Sequence, residues 1–208
     1  MHARLYVRQV AVTARPRRTQ SERSAATRHL LLEATVACLV DLGYAGTTSS
    51  AVAERAGVSR GAQLHHYGTR QQLIAAAVEH LSDQRMTQVR EQVAALVDDA
   101  SRPRRALDLL AEALSGPLWA ATLELWTAAR VDTALREELL PVEQRITADL
   151  ARLCRTYVTD DPMKVQLTLD LLIGRGLGAV LLPVSRARQR QALDAWAQLL
   201  ACPAPAAS

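Results

Sequence analysis

At 208 residues the chain is long enough to bury a substantial core without disulfide or metal staples. Phe is absent and aromatics make up 3% of the residues, so Leu, Ala and Val must build the interior, a mixture that favours helices over sheets. The charge of +4 is uneven: ten arginines lie in the first 70 residues against Glu22, Glu33, Asp41 and Glu54, whereas acidic residues slightly outnumber basic ones in the remainder. A basic head on a neutral body points to a polyanion partner for the first third of the chain.

Residues 1–18 have no sustained period and read as a flexible basic arm, with Arg4, Arg8, Arg15, Arg17 and Arg18 either touching the polyanion or doing nothing. Thr19 and Glu22 form a T-x-x-E capping box, and Leu32, Val36, Leu39 and Val40 follow at helical spacing, so a first helix is expected from about 20 to 43. A short second helix follows the oxygens of Thr47–Ser50 and stops at Gly57, and Ser59 opens a third that ends near Tyr67. Thr69 with Gln72 opens a long fourth helix to about Val97. Five more are expected near 102–115, 117–130, 133–157, 162–182 and 186–201, begun by Ser101, Gly116, Asp132, Asp161 and Ser185. The tail after Cys202 reads as disordered. The expected fold is all-α: an arm (1–18), a short basic helical domain (19–68), a longer helical domain (69–202) and a tail (203–208).

Several chemistries are disfavoured. Cys38, Cys154 and Cys202 are odd in number and far apart, and no apolar run of signal-peptide length precedes the arginines at 15–18, so a reducing cytoplasm is expected. Val165–Leu182 is the most apolar stretch, but Asp170 and Arg175 near its middle argue for a buried helix rather than a membrane span. His65 and His66 are adjacent and point about 100° apart on a helix, a poor chelate, so no metal is expected. Gly174, Gly176 and Gly178 lack both the spacing and the preceding strand of a dinucleotide loop, and no cofactor is expected. No triad or paired-carboxylate pattern supports a helical enzyme.

Two short helices joined by the tight turn Gly57-Val58-Ser59 are a helix-turn-helix, whose second helix enters the major groove. The segment TTSSAVAERAGVSRGAQLHHYGTRQQL, preceded by LVDLGYAG, resembles the DNA-binding signature of the TetR family over about the first 80 residues. The resemblance implies a dimeric repressor, with 19–68 as its DNA-binding domain and 69–202 as its regulatory and dimerisation domain, that binds a palindromic operator and is released by a small-molecule effector. An architectural DNA binder without ligand response is the alternative, separable by the ratio of operator to random-duplex affinity.

Carried over by position, the resemblance implies that Thr48 and Ser49 meet the backbone or a base edge. It implies that Arg60, Gly61 and Ala62 face bases, with Leu64 and His66 one turn on. Arg70, in place of the family's lysine, is expected to hold a phosphate. The family's Leu-Tyr pair is Gln63-Leu64 here, which removes a phosphate-binding hydroxyl and leaves Gln63 as either a polar contact to DNA or a tolerated change. Family pockets are lined by the middle helices. Trp119 and Trp126, seven residues apart on one helical face with Glu124 and Arg130 nearby, are therefore either core or a wall of the effector site. Tyr157, Gln166 and Arg175 are further candidates for that site, Arg175 facing either a ligand anion or a carboxylate such as Asp170.

Overall fold

The computed structural model describes residues 19–182 and 185–202. Among the described residues lie nine α-helices and no strand: α1 (Gln20–Gly46), α2 (Ser49–Ala56), α3 (Arg60–His66), α4 (Arg70–Ala94), α5 (Arg102–Ala113), α6 (Gly116–Ala128), α7 (Thr133–Tyr157), α8 (Pro162–Leu181) and α9 (Arg186–Ala201). The basic arm and the tail expected at the two ends fall outside the described residues.

Side-chain oxygens start most of these helices. Thr19 and Glu22 make the reciprocal capping box, and Thr48, Ser59 and Thr69 accept from the backbone N–H of Ala51, Ala62 and Gln72. Asp132, Asp161 and Ser185 do the same for α7, α8 and α9. Ser101 departs from the pattern. Its hydroxyl donates to Asp99 Oδ1 at 2.6 Å, so α5 begins without a side-chain cap and leans on Pro103 in its first turn. Gly57 ends α2 in the left-handed region (φ 65°, ψ 30°), which costs a glycine little. Helix α1 does not stop at 43: Gly43 (φ 68°, ψ −176°) breaks it, and one further turn carries it to Gly46.

Three apolar clusters run along the molecule, and α4 enters all of them. Leu31, Ala34, Cys38 and Val52 pack on its Leu73 in the head. Leu39, Leu125, Leu135 and Leu139 surround its Ile74 and Val78 at the junction. In the body Leu110, Trp119, Leu150, Leu169 and Leu172 enclose the cluster that includes its Met86, Val89 and Val93. At 1.5 Å per residue α4 is a rod of about 37 Å from head to body. By length and composition α1 is apolar enough to cross a membrane, but its Leu31, Ala34, Cys38 and Leu39 are interior residues of this fold.

Helix α8 was expected to be buried and is so on one face only. Val165, Leu169, Leu172 and Gly176 face inward, whereas Met163, Leu167, Leu177 and Leu181 form a stripe that stays exposed. At Gly176 an added Cβ would lie 2.3 Å from Trp119 Nε1 and 2.6 Å from the Leu114 carbonyl oxygen, so the glycine lets α6 and α8 cross closely.

Candidate nucleic-acid interface and its link to the body

The α2–α3 turn sets the geometry of the interface. Val58 N–H bonds the Ala53 carbonyl at 3.0 Å behind Gly57, and Ser59 caps α3, which presents Arg60, Gly61, Leu64 and His65 to solvent. Gly61 is in open space: a Cβ there would meet nothing nearer than Ser59 Oγ at 3.9 Å. The fold therefore does not require glycine at 61. Thr48 is exposed, and Ser49, Ala62 and His66 are half-buried. Burial, then the charges of His65 and Arg28, pulls the His66 imidazole below its ordinary value, so at neutral pH it offers a hydrogen bond rather than a charge.

Two expected contacts lie elsewhere. Gln63 is fully buried, and its Nε2 donates to the Tyr67 carbonyl at 3.0 Å. That bond satisfies its Nε2 while its Oε1 is buried without a partner, and the side chain is removed from the exposed face. Arg70 turns inward as well. Its Nε donates to the Thr47 carbonyl at 2.7 Å, its Nη2 donates to the Tyr44 carbonyl, and its guanidinium stacks 4.0 Å from the Tyr44 ring centroid. It ties the start of α4 to the end of α1 instead of reaching free into solvent.

Tyr44 is the hub of this tie. Its backbone N–H donates to Glu124 Oε1 of α6 at 2.7 Å, just where Gly43 breaks α1. Its hydroxyl donates to Asp132 at the start of α7, which also accepts from Gln71 of α4. Burial and the Asp132 hydrogen bond push the Tyr44 phenol up to about 12, and the same bond holds the Asp132 carboxyl below the usual carboxylate range. The expectation that Glu124 lines the effector site with the tryptophans is thus corrected. Its carboxylate faces outward onto the α1 break, 2.8 Å from where a Gly43 Cβ would stand.

Behind the hub, residues of α1, α4, α5, α6 and α7 line a narrow cleft that is partly open to solvent. Trp119 lines it and is 6% exposed, packed edge-on against Trp126 with ring centroids 5.5 Å apart. Trp126 and Arg130 line an adjoining opening, and Glu143 of α7 borders both spaces. Glu143 escaped the sequence reading although its signal was there. It falls on the stripe Leu139, Glu143, Ile146 and Leu150, a carboxylate among apolar residues at helical spacing. Burial pushes its carboxyl above the usual range, and the neighbouring Trp126 indole draws it partly back.

The other effector candidates are dispersed. Tyr157 packs against the body core with the Arg102 guanidinium 5.7 Å from its ring. Gln166 is exposed and donates to Asp170 at 2.9 Å, and the charges that act on Arg175 are those of Arg104 and Asp108 rather than Asp170. Arg175 instead lines a separate groove near Arg104 and Asp108. Among the described residues, His29, Glu33 and His80 bring ligand atoms to within 4.8 Å of one another and are the group able to hold a metal ion, with His80 Nε2 and Glu33 Oε1 3.0 Å apart.

This geometry is matched by known proteins. The family model of bacterial regulatory proteins, tetR family, matches residues 31–77. The HTH-type transcriptional regulator CymR of Pseudomonas putida is 34% identical over 161 residues, 77% of this chain and 72% of CymR. An uncharacterized HTH-type transcriptional regulator of Mycobacterium bovis is 32% identical over 133 residues, 64% of this chain and 68% of that protein. The multidrug binding protein EbrR, solved with imidazole, superposes with a TM-score of 0.65 at 25% identity, over 86% of this chain and 96% of EbrR.

Proposed function

Since the chain belongs to the tetR family of bacterial regulatory proteins and is a DNA-binding transcriptional regulator rather than an enzyme, we propose that it is a repressor released from a near-palindromic operator by a small molecule bound in its body. The observation that carries the release step is the Glu124–Tyr44 bond. The helix that presents Trp119 to the cleft also holds, through Glu124, the point where α1 breaks before the helix-turn-helix. A ligand that shifts α6 then changes the poise of the head, and it weakens DNA binding only to the extent that it prefers the shifted state.

EbrR, named for multidrug binding and solved with imidazole, supports a small-molecule effector for this chain, and the cleft lined by Trp119 and Glu143 offers it a place in the body. Arg60 reads a base, the backbone at Gly61 closes on the groove, and Thr48, Ser49, Ala62, Leu64 and His66 supply the surrounding contacts. Arg70 acts by positioning α4 against α1. The exposed Met163, Leu167, Leu177 and Leu181 stripe of α8 supports a homodimer, which places two heads on two half-sites. Cytoplasmic location follows from this function.

An operator selected from random duplexes, followed by ultracentrifugation of the complex, tests the repressor reading. A two-fold sequence bound by two chains is expected. A monomer satisfied by a single half-site overturns the dimer, and equal affinity for operator and random duplex favours the architectural alternative.

A further inference from the structure

The interior of the body contains polar atoms that the protein itself leaves without a partner. Glu143 Oε1 and Trp126 Nε1 are each buried with no hydrogen bond of ordinary geometry, and the Trp126 N–H is the neutral donor that stands beside the Glu143 carboxyl. The Trp119 ring packs edge-on against Trp126 and lines the cleft together with Glu143, while its own N–H is turned toward Gly176 of α8. The rest of that wall is mostly apolar, with Leu39, Val78, Met86 and Leu150 among its residues. An orphaned carboxylate oxygen in such surroundings is unfavourable in the free protein, and its cost falls when a donor arrives.

The charges facing Glu143 decide which donor. Arg85 lines the same cleft, but its Nη1 donates to the Ala113 carbonyl at 3.2 Å and the Glu112 charge lies beside it. Arg130 and Arg136 stand at the adjoining opening, and both are exposed to water. None of these cations makes an ion pair with Glu143 within 4 Å among the described residues, so the carboxyl remains the uncompensated group of the cleft. A neutral apolar occupant leaves Oε1 unpaired. An anionic occupant adds repulsion. A protonated amine carrying at least one N–H gives Oε1 its donor and its countercharge, and the π-faces of the tryptophan pair favour a cation beside them.

Resting on the reading that the body holds the effector, we propose that this effector is an organic amine, bound with its ammonium group on Glu143 and its apolar part along the Trp119 wall. Glu143 sets the charge class, and the apolar cleft sets the size.

The full-length protein is titrated by calorimetry with 3-phenylpropylamine, its alcohol analogue 3-phenylpropanol and its acid analogue 3-phenylpropionate, and operator anisotropy is followed in parallel. The amine is expected to bind at least 10-fold more tightly than the other two. Glu143→Gln, checked for folding by its melting curve and for operator binding without ligand, is expected to lose that preference. The proposal is overturned if the alcohol or the acid binds as well as the amine, if Glu143→Gln keeps the amine preference, or if the amine fails to bind up to millimolar concentration. Amine binding that depends on Glu143 but leaves the operator complex intact supports the site and contradicts the release reading instead. Operator release by a compound indifferent to Glu143→Gln supports release and overturns the amine class.

Discussion

Tyr44 and Glu124, 80 residues apart in sequence, are joined by a 2.7 Å hydrogen bond from the Tyr44 backbone N–H to the Glu124 carboxylate, at the one non-helical residue inside α1. The break exposes an N–H that an unbroken helix would have satisfied internally, and α6 supplies the acceptor. Glu124→Ala is expected to lower stability by about 1 kcal/mol in urea titration, the ordinary worth of such a bond. Gly43→Ala is expected to cost more, because the backbone there is left-handed and the new Cβ meets the same carboxylate at 2.8 Å. If Gly43→Ala proves as stable as wild type, the break is not held as described.

Arg60 and Arg70 separate binding from folding. Arg60→Ala is expected to lose about 1–3 kcal/mol of operator affinity and to relax preference at one base position, with no change in melting temperature. Arg70→Ala is expected to lower the melting temperature, because it removes the guanidinium that donates to both the Thr47 and Tyr44 carbonyls. A binding selection in which Arg60→Ala keeps the full wild-type preference contradicts the base-reading role.

Gly61 offers a sharper test, since alanine there fits the fold. Gly61→Ala is expected to stabilise the free protein by up to about 1 kcal/mol through helix propensity, yet to weaken operator binding. Operator affinity equal to wild type shows that the backbone at 61 does not approach the duplex.

The hub also fixes a pH dependence. Because the folded Asp132 carboxyl lies below its ordinary value, its contribution is complete above the usual carboxylate range and is lost as pH falls through the depressed value. The Tyr44 phenol is raised, so its contribution persists below its ordinary value of 10.0 and is lost only as pH rises through about 12. The stability difference between wild type and Asp132→Asn, measured by urea unfolding, should therefore be flat around neutrality and shrink in acid. A difference that grows as pH falls below 4 contradicts the assigned direction.

What was legible in the sequence is what local chemistry decides. The caps at Thr19, Thr48, Ser59 and Thr69 and the left-handed stop at Gly57 depend on residues within a few positions, and the all-helical fold followed from them. What was not legible depends on partners far along the chain. Arg70 was expected to point to a phosphate, but the broken end of α1 offers it two carbonyls 23 and 26 residues away. Glu124 was grouped with the tryptophans by sequence proximity, although its helix turns it to the opposite side, toward Gly43. Glu143 was visible as a carboxylate on an apolar stripe, but its orphaned oxygen appears only once α6 is packed against α7.

In the proposed release step, occupancy of the body is felt at the DNA through α6 and the Glu124–Tyr44 bond. This step is tested most directly by operator anisotropy with and without a saturating compound known from calorimetry to bind the body, in wild type and in Glu124→Ala. The expected result is a roughly 5- to 150-fold loss of operator affinity in wild type, and a much smaller loss in Glu124→Ala at unchanged compound affinity. An equal loss in both proteins, or none in wild type, contradicts it.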